Sequence, residues 1–345
     1  AHEGPILYGW IDTWTYDYPL SADDAAELAG RFGAIPGILD QARGNLVGDA
    51  RALWRAGIAS MEGPIRNLTS YAERVSGTSD ELDHNLQAAI VATEDVLAGL
   101  EQELPDKNGP SGIGVDNYNW YLKNVHLVPY TWADLLGIHR RELARSHASL
   151  KLEEHRNRNL PQQTRISSAA EYDRLFNQAV DDYVAFLVDN EIISDRAYLA
   201  PSLRERIGRF QPIDSPDALR GFFSEISYRD PLTMRTHGHH WFDLAMMAED
   251  PHPSPIRATP TLYNIWDSRA EGTATGMEEW TMNAGLFDDN PRSRELIYIL
   301  IAQRAARGIS GLLMHANEYT MDEAVEFAAK WTPRGYMPED SGTVW

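Results

Sequence analysis

The chain has 345 residues, of which 43% are hydrophobic and none is cysteine, so it can bury a large core but forms no disulfide or thiolate metal site. Its 51 acidic residues outnumber its 31 basic ones and give a net charge of −20. This charge argues against nucleic acid and anionic membrane surfaces as partners, since both require a basic face.

Helical periodicity dominates the first part of the chain, and no alternating strand pattern interrupts it. The predicted helices cover residues 21–32, 36–75, 79–104, 116–122 and 132–150. We expect the second of them to be interrupted near Gly63-Pro64 and the third to begin after a capping Ser79. The sequence therefore predicts a mostly α fold.

A polar, proline-bearing stretch at residues 157–163 is the predicted boundary of two helical regions. The N-terminal region would cover residues 1–160 and the C-terminal region residues 161–345. The alternative is a single continuous domain that forms a cleft.

The second region is also predicted to be helical, with irregular connections. Ser168 predicts a helix start, Asn290-Pro291 another, and Thr320 with Glu323 has the spacing of a capping box. The apolar run from Leu296 to Ile301 is too short for a membrane span. Residues 1–5 contain no basic start and no apolar segment, so we expect a soluble protein and favour the cytoplasm, although a mature secreted form would look the same.

The most informative segment places three histidines, His237, His239 and His240, within four positions, and Glu271 follows about thirty residues later. Imidazole is the commonest metal ligand among side chains, and a returning carboxylate completes a His/Glu site. Because adjacent positions point differently, at most two of these histidines can converge on one ion. The alternative is a hydrogen-bonded histidine run that packs beside the neighbouring aromatic residues.

These segments resemble the domain of unknown function 885 family, whose members are mostly helical, zinc metallopeptidase-like proteins. The family pattern H-E-x-Y-P-G-H-H falls on residues 233–240, and E-G-W-A-x-x-x-E falls on residues 271–278. A later R-A-x-R helix that ends in G-I-H-A falls on residues 304–316. The resemblance covers roughly residues 110–335 and implies a large zincin-like domain, of the gluzincin or carboxypeptidase type.

The sequence departs from this pattern at the positions that would bind zinc and activate water in a peptidase. Thr233 and Met234 replace the first His and the Glu that would act as general base, and His237 replaces a proline. The retained positions are Gly238, His239, His240, Glu271, Gly272, Glu278 and His315. Family members continue beyond the position of Trp345 with a P-G-x-x-x-S-Y motif, so we expect part of the family site to be missing here.

We therefore predict a divergent metal-dependent enzyme, a hydrolase without the standard peptidase base, that acts on a peptide or small molecule. The predicted ligands of zinc, or of another divalent transition metal, are Glu271 and two of His237, His239 and His240. The predicted catalytic residues are Glu278 and His315. Glu278 would either support a metal ligand from behind or replace the missing base, and His315 would lie near the substrate. Two alternatives stay open: an inactive relative that binds a peptide or small molecule, and a metal-independent acid–base lyase that uses His240 and Glu271.

Overall fold

A computed structural model describes residues 11, 13, 16–215, 217–258 and 270–339. Within these ranges the chain is helical and contains no strand, and Ala50 and Gly109 form an isolated bridge. The helices in chain order are α1 (Ala22–Gly33), α2 (Ile35–Asn45), α3 (Arg51–Val75), α4 (Asp80–Glu103), α5 (Val115–Tyr121), α6 (Trp132–Arg156), α7 (Ala169–Asp189), α8 (Leu199–Arg204), α9 (Phe222–Ser227), α10 (Pro231–His237), α11 (His239–Glu249), α12 (Pro255–Ala258), α13 (Gly272–Asn283), α14 (Arg292–His315) and α15 (Met321–Trp331). Single 3-10 or π turns cover Leu104–Asp106, Leu122–His126 and Pro333–Gly335. The predicted mostly α class is confirmed.

The chain divides into two compact units, Ala1–Gly112 and Ile113–Trp345. The sequence instead placed a boundary at residue 160, inside the second unit. Asn157 is buried there, and its side-chain amide donates to the carbonyl of Pro291 (3.0 Å) and to Glu295 Oε1 (2.9 Å). These polar residues tie the end of α6 to the start of α14, so their polarity marks internal hydrogen bonds and not a linker.

In the first unit, α4 is the central helix and packs against α1, α2 and α3. Ser79 caps it by accepting a hydrogen bond from the backbone N–H of Leu82 (3.4 Å), as predicted. Leu82, Leu86 and Leu100, which lie along one face of the helix, are buried. The amphipathic pattern of α4 therefore builds the core of this unit.

Helix α3 differs from the prediction because it continues through Pro64 without a break. Proline removes one backbone hydrogen bond, but Met61 before it and Leu68 after it are both buried in the same core. Packing on both sides therefore holds the helix together. The helix predicted at residues 36–75 is interrupted earlier, between the end of α2 at Asn45 and the start of α3 at Arg51.

In the second unit, α14 is the core helix and packs along α6 and against α15. Among the helices the structure describes, it alone is long and apolar enough to cross a membrane, and 72% of its most apolar window is buried inside the protein. The apolar run predicted to be too short is thus part of a 24-residue helix. The buried core helices of globular proteins can be as long and as apolar as a membrane-spanning helix, so this finding is weak evidence for a span.

Candidate metal centre

Helices α10 and α11 meet at Gly238, and this junction presents the histidine cluster. Asp230 caps α10 by accepting from the backbone N–H of Leu232 (2.9 Å). At Gly238 a Cβ atom would lie 2.5 Å from Leu203 Cδ2 and 2.9 Å from the carbonyl oxygen of Arg235. Glycine is therefore required by close packing, and the one-residue break lets two helices present their imidazoles side by side.

His237, His240 and Glu271 come together at this junction. Their ligand atoms all lie within 4.8 Å of one another. His237 Nε2 is 3.6 Å from Glu271 Oε2, and His240 Nδ1 is 3.5 Å from Glu271 Oε1. The two imidazoles are largely buried, whereas the Glu271 side chain is 40% exposed.

These separations are those of a metal site. Ligand atoms bound tetrahedrally at about 2.0–2.2 Å from zinc lie about 3.3–3.6 Å from each other. Two imidazole nitrogens and one carboxylate are also the donor set of many catalytic zinc sites. The three residues therefore fit a divalent transition metal in both chemistry and spacing.

Glu278 holds His237 from the opposite side. Its fully buried carboxylate accepts from the Arg304 guanidinium through both oxygens (2.7 Å each), and Oε1 lies 3.0 Å from His237 Nδ1. Arg304 Nη2 also lies 3.5 Å from this nitrogen. An ionised carboxylate only accepts hydrogen bonds, so the closer Glu278 favours the tautomer with the proton on Nδ1. In that tautomer the lone pair is on Nε2, which faces Glu271, as in carboxylate–histidine–metal arrangements.

The predicted ligand His239 does not belong to this group. Successive helical residues point about 100° apart, and the ring of His239 faces Phe242 at 5.7 Å while His237 and His240 face each other at 5.1 Å. Burial lowers the pKa of His239. Burial, assisted by electrostatic interactions with His237, His239 and Arg206, lowers the pKa of His240 to about 4, so this imidazole is neutral and can coordinate.

Thr233, at the position of the first His in the resemblance, lies one turn before His237 on α10. It is fully buried and its hydroxyl donates to the carbonyl of Asp230 (2.6 Å). His237 supplies an imidazole from the same helix face, one turn later. The candidate ligand group therefore includes His237, the residue at the position of the proline in the resemblance.

Two cavities adjoin the three candidate ligands, and His237 and Phe223 line both. The Glu271 cavity, of about 610 Å³, is lined on its polar side by Glu271, Thr275, Arg304, Arg307, His139 and His315. The Trp241 cavity, of about 450 Å³, contains His240, Trp241, Arg235, Arg206, Met234 and Tyr228. Cavities of this size hold small molecules or short peptide segments.

Of the two predicted catalytic residues, His315 lines the Glu271 cavity. Its ring contacts Tyr118 at 5.3 Å, and burial lowers its pKa. Glu278 is engaged by Arg304 and His237, so its carboxylate supports a candidate ligand and is not placed to act as a base.

Sequence reasoning missed His139, which lines the same cavity and whose pKa burial also lowers. Its ring lies directly over Gly308 of α14, where a Cβ atom would be 2.6 Å from Cε1. A glycine inside an apolar helix often marks such a close approach, and this was the available signal.

The comparisons with known proteins bear on the fold. The chain matches no protein-family model and no curated protein. It is similar in structure to a putative lipoprotein from Colwellia psychrerythraea (TM-score 0.61, 16% identity, 94% of this chain and 65% of that one) and to a putative lipoprotein of unknown function from Shewanella oneidensis (TM-score 0.63, 12% identity, 98% and 73%). The chain thus spans about two thirds of their length, and at these identities the likeness shows a shared fold alone.

Proposed function

We propose that His237, His240 and Glu271 bind one divalent transition-metal ion, zinc by the donor set, and that the chain is a metal-dependent hydrolase. The observation that carries this proposal is the orientation of His237. Its Nδ1 lies 3.0 Å from Glu278, and its Nε2 lies 3.6 Å from a carboxylate oxygen of Glu271. Two electron-rich atoms held at this distance are stabilised by a cation between them.

The exposure of Glu271 supports a catalytic site over a purely structural one. Structural zinc sites close their shell with four protein ligands, whereas catalytic sites have three and leave one position open. Three candidate ligands lie together among the described residues, and Glu271 lines the Glu271 cavity. When bound, such an ion would act as a Lewis acid toward a carbonyl or phosphoryl group in that cavity.

Proton transfer in this proposal belongs to the cavity histidines. Burial lowers the pKa of both His139 and His315, so both imidazoles are neutral near pH 7 and can accept a proton. His139 and His315 are the candidate bases because both line the Glu271 cavity together with the candidate ligand Glu271. Arg304, fixed by Glu278, keeps His237 in place.

Metal binding by purified, chelator-treated protein tests this proposal. Isothermal titration with Zn²⁺ is expected to give one site per chain. His237→Ala, His240→Ala and Glu271→Ala are each expected to weaken binding at least about 100-fold, because three ligands share the ion. His239→Ala is the matched control, since this neighbouring imidazole points elsewhere, and it should bind like the wild type. Equal binding by all four variants would reject the site.

A second candidate is a metal-dependent binding protein without hydrolytic activity. It is favoured because neither glutamate of the site is free to act as a general base: Glu271 is a candidate ligand, and Glu278 is paired with Arg304. Met234 stands where the resemblance has its base. A metal-loaded protein that binds ligands but does not turn over peptides, amides or esters would establish it. Turnover that is lost in His315→Gln, with zinc affinity retained, would establish the hydrolase instead.

A further inference from the structure

The Trp241 cavity contains a buried positive charge, Arg235, that has no anionic partner among the described residues. Arg235 is only 9% exposed, and no hydrogen bond or ion pair joins its guanidinium to any residue in the described ranges. Its Nε is buried without a hydrogen-bond partner there. A cation removed from water without an anion is unfavourable by several kcal/mol.

Other buried arginines of this unit have partners. Arg292 pairs with Glu295 (2.7 Å) and Arg304 with Glu278 (2.7 Å). Arg220 donates to the carbonyl of Gln211 (2.6 Å) and lies over the ring of Tyr228. Arg235 differs because its cation–π contact with Phe176 is long, with Cζ 5.7 Å from the ring centroid. In a chain with 51 acidic residues, leaving this cation unpaired calls for a ligand.

The residues that line the Trp241 cavity indicate the charge and polarity of a ligand that would pair with Arg235. Among the described residues, no Asp or Glu lines it. A second arginine, Arg206, is exposed at its edge and lies over the Trp241 ring, with Cζ 4.3 Å from the centroid. The remaining wall is largely aromatic, with Tyr172, Phe176, Phe223 and Tyr228. One buried cation beside aromatic rings matches a monoanion attached to an apolar or aromatic group.

We infer that Arg235 binds a carboxylate in the Trp241 cavity, and that the ligand is a small carboxylic acid with an aromatic or large apolar group next to its carboxylate. A planar guanidinium pairs with a carboxylate through two parallel hydrogen bonds. His240 lines the same cavity and is a candidate metal ligand, so the carboxylate group would lie beside the site of chemistry. As a statement about the substrate of a hydrolase this inference rests on the proposed function, whereas the binding itself requires no metal.

Calorimetric titration of the full chain in EDTA tests the inference, with 3-phenylpropanoate as the probe. The wild type is expected to bind this probe and to bind the neutral 3-phenylpropanamide at least about tenfold more weakly, because charge-assisted hydrogen bonds are lost. Arg235→Met should weaken binding of the carboxylate about 10- to 100-fold. Arg294→Met is the control, since Arg294 is partly buried but pairs with Glu153 (3.4 Å) and lines neither cavity, and it should leave binding unchanged.

Several outcomes would overturn the inference. These are absence of binding, equal binding of acid and amide, unchanged binding by Arg235→Met, and tighter binding of phenyl phosphate, which would identify a phosphate site instead. If Arg235→Met does not fold, the acid–amide comparison in the wild type still decides. Binding of 3-phenylpropanoate by Glu271→Ala separates the two proposals, because it should persist even if the metal site fails.

Discussion

At His237 the two ring nitrogens have different partners, and the geometry of the site follows from that difference. Nδ1 is 3.0 Å from Glu278, and Nε2 is 3.6 Å from Glu271. Arg304 pairs with Glu278 from its other side and holds this carboxylate against His237. A single ion pair thus sets the orientation and the tautomer of a candidate ligand.

We expect Glu278→Gln to weaken zinc binding about 10- to 100-fold, because the amide no longer holds the His237 proton as strongly. The same change should destabilise the protein by about 3–5 kcal/mol, since it leaves the Arg304 charge buried and unpaired. Titration calorimetry and urea unfolding measure the two effects.

The adjacent Glu279 provides the matched control. It pairs with the half-exposed Arg145 (2.5 Å) on the other face of α13, so Glu279→Gln should cost at most about 1 kcal/mol and leave zinc binding unchanged. Equal losses of zinc affinity in both variants would contradict the role given to Glu278.

The sequence identified most of these residues but not how they are arranged. Spacing within one helix predicts that Glu271 and Glu278 share a face, and both meet His237. Spacing does not reveal which histidine is excluded, because that depends on the break at Gly238. Arg235 and His139 escaped notice because an unpaired arginine and a histidine over a glycine are recognised only when their spatial neighbours are known.

At the level of helices, the packing of α6 on α14 positions the Glu271 cavity. His139 of α6 fits over Gly308 of α14, and His315 lies two turns further along the same helix. The Trp132 indole donates to the carbonyl of Leu312 (2.8 Å) and fixes the register of the two helices. The cavity wall is therefore part of the core and not of a loop.

We expect Gly308→Ala to destabilise the protein by about 1–3 kcal/mol, because its methyl group would displace the His139 ring. Gly311→Ala, one turn later, is the matched control: no atom lies within 4 Å of its Cβ position. The helix propensity of alanine should make that variant as stable as the wild type or up to about 1 kcal/mol more stable. Thermal unfolding of the two variants measures the difference, and a reversed order would contradict this packing.

Helix starts with side-chain caps were the easiest elements to predict. Ser79, Ser168 and Thr320 cap the helices that follow them. The helix start predicted at Asn290-Pro291 is confirmed, since α14 begins at the next residue, but the Asn290 amide donates to Asp230 (3.1 Å) and does not cap the helix. Local capping chemistry is readable from sequence, whereas tertiary hydrogen bonds that compete with it are not.

For the whole molecule, the fold of the first unit can be predicted from the sequence more fully than the fold of the second. The first follows from amphipathic helices, and the second depends on buried polar contacts, such as those of Asn157, that no periodicity indicates. The metallopeptidase-like identity, the cytoplasmic location and the absence of nucleic-acid partners stay predictions.

The stability of the metal-free protein should fall as the pH drops below about 6.5, the ordinary value of histidine. Burial lowers the pKa of His139, His239, His240 and His315 in the folded state. Below that pH the unfolded chain binds more protons than the folded chain, so the free energy of unfolding decreases with decreasing pH and is level above it. Calorimetry in EDTA between pH 8 and pH 5 measures this slope.

His240→Asn should flatten that slope, since the pKa of His240 is about 4 in the folded protein. A melting temperature that is constant from pH 8 to pH 5 in the wild type would show that these imidazoles are not held neutral.

The most direct measurement of the central claim is anomalous diffraction at the zinc edge from crystals of the full chain grown with Zn²⁺. We expect a single strong peak about 2.0–2.2 Å from His237 Nε2, a ring nitrogen of His240 and a carboxylate oxygen of Glu271. No peak at this position, or a peak that uses His239 in place of His237, would contradict it.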